Sequence, residues 1–194
     1  MFSLFFMDGE KRIFALVGMA GAGKSLVTSY LQEKHSFPKV YFGEITFDKL
    51  KEAGLEPTEE NQKIMREKIR SELGMGAYAL LSLPKIKKAL EENSVVLLES
   101  LYSWDEYKTI KKEFGDIFKV IAVCAVRETR FSRIKIRKER ALKSWQDFDR
   151  RDQTEIEGTD KGGPIAIADY FVFNEGSPEE TFSQVDKIMQ KEGF

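Results

Sequence analysis

Gly18-Met-Ala-Gly-Ala-Gly-Lys-Ser25 is the stretch from which the rest of the chain can be read. Before it runs Ile13-Phe-Ala-Leu-Val17, a continuous apolar segment that suits a strand buried on both faces of a parallel sheet. After it, from Lys24 to about Lys34, the sequence reads as helix. A turn with the spacing G-x-x-x-x-G-K-S between such a strand and such a helix is the context in which backbone N–H groups cradle a phosphate. Gly18, Gly21 and Gly23 permit backbone conformations closed to other residues, so successive N–H groups can face one anion. The helix opening at Lys24 adds the positive end of its dipole. Lys24 suits β- and γ-phosphate oxygens as a point charge, and the Ser25 hydroxyl suits Mg²⁺. Gly18, Gly21, Ala22, Gly23, Lys24, Ser25 and Leu26 are therefore the expected contacts for ATP and Mg²⁺. At average glycine usage of about 7%, the pattern arises by chance in on the order of 1% of chains this long, so an incidental glycine turn is the weaker reading.

Four further apolar runs supply a sheet around this strand: Val40–Phe42, Ser94–Glu99, Phe118–Ala125 and Asp169–Phe173. Helical segments alternate with them, which predicts an α/β fold with a five-stranded parallel sheet covered on both faces. Thr58 before Glu59-Glu60 reads as a helix N-cap, and Gly74 as the end of that helix. Ser177-Pro-Glu-Glu180 reads as a capping box opening the last helix. Residues 1–194 form one domain in this reading, with two long stretches between strands, 43–93 and 127–168. Both follow strands, where ligands of open α/β sheets bind. The first is expected to be an acceptor-binding helical insertion and the second a lid.

The bulk properties narrow the function. The chain has 42% hydrophobic and 32% charged residues and a formal net charge of −1, so no global field draws it to nucleic acid or anionic lipid. One cysteine, Cys124, lies in an apolar strand and reads as a buried thiol. With one histidine, His35, expected to trail the first helix, zinc and haem frameworks and Ser-His-Asp or Cys-His triads are not supported. Leu4-Phe-Phe-Met7 is too short for a signal peptide core, and no segment approaches the roughly 20 apolar residues of a membrane span. A cytoplasmic location is expected.

Two features point to phosphotransfer. Glu99 ends an apolar strand beside the phosphate loop, where a carboxylate can hold a Mg²⁺-bound water or polarise an acceptor hydroxyl. A solvated glutamate at a strand end is the competing reading. Arg127, Arg130, Arg133, Arg137 and Arg140 recur at spacings of three and four, which on one helix places like charges on one side and calls for an anionic partner. A triphosphate fits the planar donor fork of arginine, and Asp149-Arg-Arg-Asp152 adds two more arginines with acids to orient them. A solvated basic face and an RNA-binding stripe are the alternatives; RNA binding would fall steeply with salt.

The chain resembles the dephospho-CoA-kinase-like and adenylate-kinase-like P-loop proteins. The resemblance rests on the phosphate loop, Gly43-Glu44, Gly54-Leu-Glu-Pro-Thr-Glu-Glu-Asn61, Arg70-Ser-Glu-Leu-Gly74, Thr129-Arg-Phe131, Trp145, Arg151-Asp152, Ile165-Ala-Ile-Ala-Asp169-Tyr170 and Asn174-Glu-Gly-Ser177. It implies acceptor-side roles for Gly43, Glu44 and Arg70, with Arg66 nearby. It implies lid roles for Arg130, Arg137 and Arg151, and an adenine-side role for Asn174, whose alternative is a turn residue before Gly176. Relatives often carry an arginine shortly after Gly-Asp, and Asp-Gly-Ile-Arg, where this chain has Gly43-Glu-Ile-Thr-Phe47 and Glu99-Ser-Leu-Tyr102. The expected activity is transfer of the γ-phosphate of ATP-Mg to a small nucleotide-like acceptor: a nucleoside monophosphate, dephospho-CoA or a nucleoside. The two missing arginines motivate an alternative, an ATP-dependent switch or chaperone-like ATPase acting on a protein or RNA partner.

Overall fold

The computed structural model describes residues 11–138 and 141–194. The N-terminal apolar stretch, including Met7, and Arg140 of the arginine series lie outside the described residues. Five parallel strands, β1 (Arg12–Val17), β2 (Lys39–Tyr41), β3 (Val95–Glu99), β4 (Phe118–Cys124) and β5 (Tyr170–Phe173), form one sheet in the order β2-β3-β1-β4-β5. The strand that feeds the phosphate loop is therefore central. Leu16 pairs with Glu99 on one side, and Val17 with Ala122 on the other.

Side-chain alternation divides the core between the two sheet faces. Phe14, Leu16, Val95, Leu97, Ile121, Val123 and Val172 pack with Val27 and Leu31 of α1 (Lys24–His35) and with Val185, Ile188 and Met189 of α9 (Pro178–Lys191). Ile13, Ala15, Val17, Val96, Leu98, Val120 and Ala122 face the other way. They meet α2 (Glu44–Glu52), α3 (Glu59–Leu73), α4 (Ala77–Glu92) and α5 (Trp104–Phe114) through residues such as Leu50, Ile69, Ile86 and Ile110. Most of these are fully buried, and each such aliphatic side chain contributes roughly 1.5–3 kcal/mol. This is why strands carrying apolar residues at consecutive positions fit here and nowhere with a solvated face.

The second long stretch holds α6 (Arg127–Lys135), α7 (Trp145–Thr159) and the short α8 (Gly162–Ala166). A small separate core of Ala20, Ile134 and Phe148 ties α6 and α7 to the phosphate loop. The expected single arginine-faced helix through residue 140 is corrected: α6 stops at Lys135, and Arg137 lies beyond it, exposed. The three arginines on α6 diverge to different partners. Arg127 pairs with Asp149, Arg130 with Asp152, and Arg133 donates to Asn174 Oδ1 at 3.3 Å. Acids on α7 thus satisfy much of the charge that the spacing left open.

Local punctuation follows the residues. The Thr58 hydroxyl accepts from Asn61 N–H, and Gly74 closes α3 at φ 79°. The Ser177 hydroxyl accepts from Glu180 N–H with Pro178 in the first turn. Asp169 substitutes for a strand residue before β5, accepting from Val120 N–H at 2.8 Å. Cys124 ends β4 half-buried rather than enclosed, and burial raises its thiol pKa. No helix of the described residues is long and apolar enough to cross a membrane.

Candidate functional site

The phosphate loop links β1 to α1 with Gly18, Gly21 and Gly23 all at positive φ, 143°, 83° and 103°. All three positions are crowded as well as at positive φ: a Cβ on Gly18 would lie 2.2 Å from the Val123 carbonyl oxygen. A Cβ on Gly21 would lie 2.7 Å from the Arg130 carbonyl oxygen, and one on Gly23 would lie 1.9 Å from Asn174 Nδ2. The loop is therefore pressed between its neighbours, and only glycine fits. Lys24 curls back over it, donating to the Gly18 and Met19 carbonyls at 2.8 and 3.2 Å. Burial, then the positive charges of Lys161, Arg137 and Arg151, push the Lys24 ammonium down to about 7, against the pull of Glu155. Such a lysine gains from an anion that restores its charge. Ser25 and Leu26 follow in the first turn, exposed, while Ala22 is buried.

Two braces hold the loop from behind. Arg130 is 5% exposed and grips Asp152 with two bonds of 2.9 and 2.5 Å, while its Nη1 also donates to the Ala20 carbonyl at 3.1 Å. Its guanidinium lies 4.9 Å from the Phe148 ring centre. Asn174, at 3% exposure, donates to the Ala22 carbonyl at 2.9 Å and accepts from Thr181 Oγ1 at 3.1 Å. The implied roles of these two residues as a lid arginine and an adenine contact meet a different placement: both lie under the loop with their polar atoms engaged by protein.

Glu99 stands at the carboxyl end of β3, next to β1, as its sequence position suggests. Its carboxylate is paired with Lys39 Nζ on β2 at 2.6 Å, a partner not foreseen from the sequence. After it, Ser100 turns the chain with φ 71°, unusual for a residue with a side chain. That bend brings the Ser100 hydroxyl within 2.9 Å of the Tyr102 hydroxyl.

Beside the loop opens a cavity of ≈ 340 Å³. Tyr41, Phe42, Gly43, Thr46 and Phe47 form one wall, and Gln62, Arg66 and Arg70 of α3 a second. Tyr78, Ser100, Tyr102 and Glu106 lie between them, and Arg151, Glu155 and Thr159 of α7, with Lys161 from the turn after it, close the remaining side. A Cβ on Gly43 would lie 2.3 Å from the outer end of the Tyr41 ring, so a side chain there would displace that ring from the cavity wall. Arg70 packs its guanidinium over Tyr78 at 5.4 Å, and its Nε is buried without a hydrogen-bond partner. Gly43, Arg66, Arg70 and Arg151 thus converge on one cavity. Glu44 does not join them: it points away, to Lys85 Nζ at 3.0 Å.

Glu106 is the buried acid of this cavity, 1% exposed. Its Oε2 accepts from Tyr102 and Ser103 N–H at 2.6 and 2.9 Å, while the Ser103 hydroxyl accepts from Glu106 N–H. Burial raises its carboxyl to about 7 despite these bonds. The sequence carried the signal, Ser103-Trp-Asp-Glu106, a capping-box spacing that sequence reading passed over. Lys161 and Glu155 had no such signal, since nothing in spacing places a residue from a turn against the phosphate loop.

This architecture defines a P-loop nucleotide-binding protein with the sheet order of the kinase fold. A family model described as an AAA domain matches residues 15–158. Relatives named UPF0200 protein occur in Thermococcus kodakarensis, 35% identical with 92% of this chain and 97% of that protein covered, and in Hyperthermus butylicus, 33% identical with 95% and 97% covered. The chain belongs to this AAA-domain family and is a relative of the UPF0200 proteins. Among solved structures, TT1252 from Thermus thermophilus superposes with a TM-score of 0.59 at 20% identity, covering 95% of this chain and 99% of that one. A shikimate kinase from Bacteroides thetaiotaomicron gives 0.58 at 15%, covering 93% and 97%. These findings show a P-loop fold like that of a shikimate kinase, and the narrower resemblance to dephospho-CoA or adenylate kinases is not what they single out.

Proposed function

We propose that the chain transfers the γ-phosphate of ATP-Mg to a small nucleotide-like acceptor bound in the cavity beside the phosphate loop. The observation that carries this reading is a shared wall: Arg151 and Lys161 line the cavity, and their charges bear on Lys24. Donor phosphates on the loop and an acceptor in the cavity would then meet at one group of cations, as phosphoryl transfer requires.

In this reading the loop N–H groups and Lys24 hold the β- and γ-phosphates. Arg151 and Arg137 offset charge on the transferring group from the cavity side and from beyond α6. Ser25 would ligate Mg²⁺, with Glu99 reaching it through water after leaving Lys39. A divalent cation held there would supply charge against the phosphate oxygens, and one protein hydroxyl with a water-linked carboxylate suffices because the nucleotide supplies the remaining ligands. Arg130 and Asn174 serve the donor site by fixing the loop from behind. Arg66 and Arg70 face the acceptor with forked donors, which favours an acceptor carrying an anionic group, such as a nucleoside monophosphate or dephospho-CoA, over an uncharged nucleoside. The volume of the cavity, ≈ 340 Å³, also favours a small acceptor over a switch acting on a protein or RNA partner. The test is a panel of AMP, CMP, UMP, dephospho-CoA and nucleosides incubated with protein and ATP-Mg. Mass spectrometry should find one product heavier by a phosphate; ATP-binding protein that yields none overturns the reading.

A further inference from the structure

A charge cluster on the cavity wall nearest the phosphate loop has an arrangement that phosphate binding alone does not explain. Glu155 accepts from Arg151 Nε at 3.1 Å and from Lys161 Nζ at 2.6 Å, so one carboxylate serves two cations. Lys161 is 6% exposed, and its ammonium also stands 4.4 Å from the Tyr102 ring centre. A lysine held this way has lost most of its rotamer freedom, and its charge sits at a fixed point between loop and cavity. Although burial opposes its charge, Glu155 is kept below the ordinary carboxylate range by Lys161 and Arg151. Asp152, the other acid that acts on Lys161, is already gripped by Arg130.

The local balance is uneven. Lys24 feels positive charge from Lys161, Arg137 and Arg151, and negative charge from Glu155. Among the described groups acting on Lys24, three cations face one carboxylate, an excess of positive charge that a further anion would offset. A triphosphate end carries enough charge and enough oxygens to do this, and Arg151 and Lys161 would have to turn from Glu155 to reach it.

We propose that Glu155 is a resident counter-ion for the phosphoryl site: it holds Arg151 and Lys161 until a nucleotide binds, and the γ-phosphoryl group then takes over both cations. The inference rests on the reading that the loop receives ATP, and it adds which groups exchange partners there. Lys161, on the boundary of loop and cavity, is the positioning group released by that exchange, and it faces the phosphoryl group from the acceptor side. No covalent bond changes in the step; one set of ion pairs replaces another.

Competition between Glu155 and phosphate has a sign that a supporting role would not produce. With tripolyphosphate and ATP as probes in calorimetry, Glu155→Gln should bind each several-fold more tightly than the wild-type chain. Lys161→Ala should weaken tripolyphosphate binding, Lys161→Arg should recover part of it, and the gain from Glu155→Gln should vanish in the double variant. Weaker or unchanged binding by a folded Glu155→Gln overturns the proposal. If that variant does not fold, Glu155→Asp provides the same comparison, because its shorter carboxylate cannot keep both cations; tighter binding supports the exchange and weaker or equal binding contradicts it. Wild-type protein that binds neither probe would sink the phosphate-loop reading itself, together with this inference.

Discussion

Arg130 and Asp152 face each other beneath the phosphate loop, joined by two hydrogen bonds and almost wholly removed from solvent. The same guanidinium reaches the Ala20 carbonyl, so the pair ties α7 to the backbone of the loop. Breaking a buried pair from one side leaves an unmatched charge, at a cost of about 3–5 kcal/mol. Asp152→Ala should therefore destabilise the chain by that order in chemical denaturation. Nucleotide affinity should fall with it, because the loop loses its support.

The second brace gives a sharper local test. Gly23→Ala would place a methyl group into the Asn174 amide at a backbone conformation that L residues avoid. ATP binding should be lost while circular dichroism stays close to wild type. Asn174→Ala removes the donor to the Ala22 carbonyl, and a buried acceptor left without a partner costs about 1–3 kcal/mol. Its melting temperature should drop, with a higher Kd for ATP by calorimetry.

Lys24 links nucleotide binding to protons. In the free site its pKa is pushed from the ordinary 10.5 to about 7, so at pH 8 it is mostly neutral. Phosphates beside it favour the charged form, so binding at pH 8 should take up as much as about one proton. Binding enthalpies measured in buffers of different ionisation heat will show this uptake, and Lys24→Met should abolish it. The stability effect has the matching sign. Between about 7 and 10.5 the unfolded chain binds more protons at this position, so Lys24 adds stability as pH rises through that window.

Arg70 separates acceptor from donor. Its Nε lacks a partner in the cavity, and its guanidinium rests on Tyr78. Arg70→Ala should raise KM for an anionic acceptor by about tenfold or more, equivalent to 1.4 kcal/mol, with the Kd of ATP within a few-fold of wild type. Steady-state kinetics with calorimetry on the same variant would distinguish this from a general loss of fold.

The donor side was legible because its determinants are contiguous. Gly18 to Ser25, the apolar run before them and the helix after them specify the loop without any distant contact. The apolar runs of the buried strands β1, β3 and β4 are equally local, while the edge strands β2 and β5 keep exposed residues. The arginine series was harder to read. Its spacing suggested one helical face, but partners arriving from α7 and from the turn after β5 sent Arg127, Arg130 and Arg133 in different directions, and the helix ended before Arg137. Spacing reports which residues share a face and is silent on what another element brings against it. Glu44 shows the same limit, since its position after Gly43 is right for the cavity while Lys85 draws its side chain outward. Lys161 lies beyond any local pattern, because only the fold brings the turn after α7 to the phosphate loop.

Product stoichiometry tests phosphotransfer to an acceptor in the cavity most directly. With ATP-Mg and the acceptor that gains a phosphate in the panel, ³¹P NMR should show ADP and phosphorylated acceptor rising one to one. Lys24→Met should abolish both, and Arg70→Ala should slow both together. ADP that accumulates without phosphorylated acceptor, at a rate indifferent to acceptor concentration, would contradict the account.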